Sequence, residues 1–72
     1  MSHGLIKRSF TLAGHRTSVA LEAEFWAVLT ELATRRAVSL SALVAETDAG
    51  RAPERPLASV LRVLALAAAR EA

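Results

Sequence analysis

A run of polar–apolar alternation, His15–Leu21, stands directly before a helix-patterned segment, and no comparable run follows it in the 72 residues. Thr17, Val19 and Leu21 fall on one side of an extended chain and Arg16, Ser18 and Ala20 on the other. That period of two marks a strand with one dry face. A strand needs a partner, because an isolated one is not stable in water. Upstream, Phe10 and Leu12 alternate with Ser9 and Thr11, so residues 8–12 could fold back as a hairpin turning at Ala13 and Gly14. Ala-Gly is not among the strong two-residue hairpin signals, which are Asn-Gly, Asp-Gly or a leading Gly. An extended arm over residues 1–14 is the other reading of that segment. The remaining partner is the same strand of a second copy, paired across a two-fold axis. This is the economical arrangement and the one expected here.

From Glu22 to about Arg36 the pattern turns helical. Phe25, Leu29 and Leu32 recur at i, i+4 and i+7, with Trp26 and Ala33 widening the stripe. Glu22 and Glu24 in the first turn, and Arg35 and Arg36 in the last, suit the helix dipole. The pattern breaks at Val38, and Ser39 is a natural N-cap for a second helix over Leu40–Ala49, stopped by Gly50. Its stripe is Leu40, Leu43, Val44 and Thr47. Residues 50–56, GRAPERP, read as a linker, and Pro56 suits the first turn of a third helix over 57–70. Leu57, Val60, Leu61, Leu64 and Ala68 form one stripe there, while Val63, Leu66 and Ala67 make that helix apolar over most of its circumference. Such a helix is expected to be buried on more than one side, the second side being another subunit. The chain divides into a basic segment (1–14), a strand and two helices (15–50), and a linker with a closing helix (51–72).

So short a chain struggles to bury a sufficient core alone. It has no cysteine, which excludes disulfides, and two histidines, His3 and His15, make no structural zinc site. No cofactor or metal is expected, and oligomerisation is the remaining staple. Val19, Leu21, Phe25, Trp26, Leu29, Leu32, Leu43 and Val44 are then the expected dimer core. No apolar stretch approaches the ~20 residues of a membrane span, and no signal peptide is visible, so the expected location is cytoplasmic. Charge is placed unevenly. Residues 1–21 hold Lys7, Arg8 and Arg16 with no acid (+3), whereas residues 22–72 hold six arginines against seven acids (−1). A cationic strand segment is useful where it meets phosphate, so Lys7 and Arg8 are expected contacts to a phosphate backbone. Nothing supports an enzyme: there is no glycine-rich phosphate loop, metal-spaced cluster or paired carboxylate.

The order RTSVALE, then EAEFWAVLTELA, then a break and SLSALV, resembles the ribbon-helix-helix DNA-binding proteins over residues 15–50. The opening KRSFTLAGHRTSVALE and the closing stretch from Leu57 to Leu64 are similar to a compact bacterial subgroup of that family. The resemblance implies a mainly α fold with one short N-terminal strand, built as an intertwined homodimer with an intersubunit antiparallel ribbon and an added C-terminal helix. It implies sequence-specific binding of double-stranded DNA, as in a transcriptional regulator. The outward residues Arg16, Ser18 and Ala20 would meet base edges in the major groove, and Ser39, Leu40 and Ser41 would hold DNA backbone at the second helix's start. Physical chemistry agrees, since a two-stranded ribbon fits the major groove and helix N-terminal amides hold phosphate. Two features depart from the family pattern: Ala20 stands where a polar reader is common, and the break at Ala37 and Val38 lacks the glycine common there. The competing expectation is a protein-interaction module or antitoxin-like adaptor. It would capture a protein partner with the third helix or the N-terminal segment.

Overall fold

The computed structural model describes residues 4–71, so His3 lies outside it. In chain order the elements are β1 (Ile6–Leu12), β2 (His15–Leu21), α1 (Ala23–Arg35), α2 (Leu40–Ala49) and α3 (Leu57–Glu71). β1 and β2 pair antiparallel, in register from Ile6 opposite Leu21 to Leu12 opposite His15. The hairpin is therefore what the segment before His15 forms, and not a free arm. The partner expected for β2 from a second copy is supplied within the chain, and each strand of the ribbon keeps one open edge.

The turn works against the usual residue preferences. Ala13 (φ 52°) and Gly14 (φ 83°) both lie at positive φ, the signature of a type I′ connection. A non-glycine residue there costs on the order of 1–2 kcal/mol. Burial outweighs that cost. Phe10 and Leu12 on β1 are only 6% and 5% exposed, and each buried side chain of this size is worth roughly 1.5–3 kcal/mol. Trp26 of α1 holds the other end of the strand: its Nε1–H donates to the carbonyl of Ile6 at 2.8 Å, and its ring lies 5.9 Å from that of Phe10.

Beneath the ribbon's inner face the helices close one core. Trp26, Leu29, Leu32 and Ala33 of α1, Leu43 and Val44 of α2, and Leu61, Ala65 and Ala68 of α3 are all buried with Val19 and Leu21. The side chains expected in a dimer core thus fill the core of a single chain, with Phe25 partly buried against it. α3 lies chiefly along α1, and Arg62 Nε donates to Glu22 Oε1 at 3.1 Å while its guanidinium sits 5.8 Å over the Phe25 ring. This docking satisfies one side of α3; on the other, Val63 and Leu66 stay 51% and 56% exposed.

The break between α1 and α2 is a Schellman cap. Ala37 takes the left-handed conformation (φ 58°), its N–H donates to Thr34 O, and Val38 N–H donates to Ala33 O, both at 3.0 Å. Alanine fills the role that glycine usually takes, at a cost in strain. Ser39 then caps α2, its Oγ accepting from Ala42 N–H at 3.0 Å.

Candidate nucleic-acid interface

Because side chains alternate across a strand, the hairpin presents two different surfaces. Its outer surface is three cross-strand rungs: Lys7 with Ala20, Ser9 with Ser18, and Thr11 with Arg16. All are exposed except Ala20, which is half-buried. Directly opposed residues share a face, and the Ser9 and Ser18 hydroxyls meet at 3.2 Å in the middle of it. The cations stand at diagonal corners, two rungs apart, or about 13 Å along the strands. Neither strand carries a carboxylate. Among the described residues Lys7 and Arg16 have no ion-pair partner, whereas Arg36, Arg51 and Arg62 of the helical part are paired with Glu46, Asp48 and Glu22. The surface is thus polar, narrow and cationic, with no internal counter-charge.

Arg8 does not belong to it. It shares the inner face with Phe10, and its guanidinium lies 5.3 Å over the Trp26 ring. Grouping Arg8 with Lys7 as a backbone contact overlooks the period of two, which sends the neighbours to opposite sides. Arg8 instead covers the indole, a cation–π contact worth about 0.5–1 kcal/mol at an exposed site. His15 sits beside the turn, exposed, opposite Leu12.

The second expected element is the start of α2, where Ser39, Leu40 and Ser41 stand. Ser39 and Ser41 are exposed and Leu40 is half-buried. The Ser39 hydroxyl is engaged with Ala42, so what this turn offers a ligand is backbone amide and the Ser41 hydroxyl. α2 packs against β1, which places the start of this helix beside the ribbon.

Ser9 and Thr11 were not among the residues expected at the site. Counting parity back from Arg16 through a two-residue turn would have found them. That count needs the turn, and Ala-Gly signals it weakly.

A family model described as a ribbon-helix-helix domain matches residues 5–69. Among solved structures, an uncharacterized protein from Bordetella pertussis Tohama I is similar with a TM-score of 0.74 and 35% sequence identity. The match covers 90% of this chain and 55% of that one, so the chain spans about half of that protein's length. No curated protein matches it.

Proposed function

The chain belongs to the ribbon-helix-helix family, and from that premise we propose that it binds double-stranded DNA sequence-specifically, with the outer face of the β1–β2 hairpin in the major groove, as a regulator of transcription. The observation that carries this reading is the outer face itself: two cations without counter-charge and a row of hydroxyls, on an element of groove-filling width. B-DNA's major groove is about 12 Å wide and admits a two-stranded ribbon. Arg16 has the fork that pairs with the O6 and N7 of guanine, Ser18 can bond several bases, and Ala20 offers a methyl to thymine. Lys7 is suited to phosphate at the groove's edge, and the amides at Ser39, Leu40 and Ser41 to a phosphate that sets register without reading sequence.

On this reading a homodimer is no longer required to build the ribbon. The open edge of β2 still leaves a route by which two hairpins could join, as the family's two-fold pairing would have it.

The test is a selection from a random duplex library, followed by anisotropy titrations of the selected and a scrambled duplex at several salt concentrations. A preference of about 10³ or more is the expected result for a regulator. Equal binding to both duplexes, vanishing at physiological salt, would reduce the interaction to phosphate attraction and overturn the reading.

The exposed Val63 and Leu66 on α3 favour a second reading beside the first, a contact surface for another protein chain. Leu66→Asp would abolish such a contact without touching DNA affinity.

A further inference from the structure

We propose that the open side of α3 pairs antiparallel with the same helix of a second copy of this chain, with Val63 on the two-fold axis. This rests on the reading of α3 as a protein contact surface and is independent of DNA binding. Helix periodicity defines the surface. Leu61, Ala65 and Ala68 are buried, and the residues on the opposite side of the helix are Ser59, Val63, Leu66, Ala67 and Arg70, with Val60 at the margin. Val63, Leu66 and Ala67 are exposed, and Ser59 and Val60 are half-buried. From Leu57 to Ala69 the helix carries one charge, Arg62, and that is turned to Glu22. The open side is therefore an uncharged, largely apolar stripe about two turns long. Ser59 and Ala67 are small enough to let a second helix approach closely.

The two ends of the stripe name its occupant. Glu54 and Arg55 precede it, Arg70 and Glu71 follow it, and among the described residues none of the four is ion-paired. An antiparallel pair centred on Val63 sets Val60 against Leu66 of the second copy, and Ser59 against Ala67. The same register carries Glu71 to Arg55 of the second copy and Arg70 toward the neighbouring Glu54, and symmetry repeats both contacts. α3 has no acidic residue in its own first turn. Glu71 of the second copy would stand there, beside the positive end of the helix dipole. A parallel pair would instead set Arg70 on Arg70 and Glu71 on Glu71. The stripe is thus self-complementary in one direction only. One helix-on-helix contact is smaller than the roughly 1,200 Å² of a standard-size interface, so the association is weak and concentration-dependent.

The experiment is sedimentation-velocity ultracentrifugation of the full chain from about 10 μM to about 1 mM, the range in which weak contacts populate. Beside it run Leu66→Asp, Glu71→Arg, Arg55→Glu and the variant carrying both charge reversals, each checked for folding by circular dichroism melts. The parent chain is expected to double in mass across the range. Leu66→Asp should weaken that step by about tenfold or more. Each single charge reversal should weaken it by about threefold, as exposed ion pairs do, and the double reversal should restore it. The chain has no cysteine, so Val63→Cys reports the axis directly. Mild oxidation should link it to itself far faster than Ala52→Cys on the exposed linker. A parent chain that keeps one mass to the top of the range, or a folded Leu66→Asp that associates as the parent does, would overturn the proposal and leave the stripe to an unlike protein. Loss of association in Leu66→Asp, with no rescue by the double reversal and no Val63→Cys link, would overturn the antiparallel pairing. None of these outcomes bears on DNA preference, which the duplex titrations decide separately.

Discussion

The two faces of the ribbon share a backbone and little else. The inner one buries Phe10, Leu12, Val19 and Leu21 over the helices, and Trp26 bonds the carbonyl of Ile6 and lies against Phe10. The outer one exposes Lys7, Ser9, Thr11, Arg16 and Ser18, and the two serines bond each other across it. Stability is carried by one side of the strand, so the other is left to polar chemistry. A substitution on the inner face should therefore act through folding, and one on the outer face through binding.

The strongest way to break that division is Trp26→Ala. It deletes the indole under β1, its hydrogen bond to the Ile6 carbonyl and the seat of Arg8, so a loss of about 3–5 kcal/mol is expected. Chemical denaturation would measure it, and for a chain this small the variant should be largely unfolded at 37 °C. Trp26→Phe, keeping the ring but not the donor, should fall nearer 1 kcal/mol.

Arg16→Ala tests the outer face. Its expected effect on stability is within about 0.5 kcal/mol, as for other surface positions, while discrimination of the selected site drops by about 1–3 kcal/mol. A large fall in melting temperature with unchanged binding would invert the assignment of the two faces.

The third change sharpens the comparison at the turns. Both connections place alanine in the left-handed region, Ala13 in the hairpin and Ala37 after α1. Ala37→Gly should stabilise by about 1 kcal/mol, because the left-handed penalty of an L side chain exceeds the entropy that glycine adds to the unfolded chain. Ala13→Asn creates Asn-Gly, the preferred type I′ pair, and should raise stability by a similar or smaller amount without altering DNA preference. Thermal melts of the two variants beside the parent chain would measure both.

Smallest is the pH effect at the helical end of β2. A hydrogen bond from its own backbone N–H, and then the Arg62 guanidinium, hold the Glu22 carboxyl below its ordinary value. A carboxylate lowered on folding contributes stability above its unfolded pKa and loses it as pH falls through the folded one. Stability should thus be flat on descending from neutral pH to the ordinary carboxylate range and decline below it. Glu22→Gln should flatten that acid limb in pH-dependent melts, and an unchanged limb would remove Glu22 from the account.

Much of this was legible in the residues. The Leu40–Ala49 helix follows from Ser39, its stripe and Gly50, and it forms with those bounds. The Phe25–Leu29–Leu32 stripe placed α1, whose observed start falls one residue later, with Glu22 in the cap position. The parity of β2 separated Val19 and Leu21 from Arg16 and Ser18. The nearly all-round apolar surface of α3 suggested one side buried within the chain and one against another subunit; within the chain, docking on α1 covers the first side, and Val63 and Leu66 lie exposed on the other.

The sequence by itself determined which segments are helical, where they cap, and which side of His15–Leu21 is dry. Those properties depend on residues within a turn or two of each other, and the periods of 3.6 and 2 record them directly. Tertiary structure decided what β2 pairs with, and with it the place of Ser9, Thr11 and Arg8. Strand pairing is settled by distant burial: Trp26 and the helices beneath Phe10 and Leu12 offset a strained Ala13, and no local signal in Ala-Gly announces that they will.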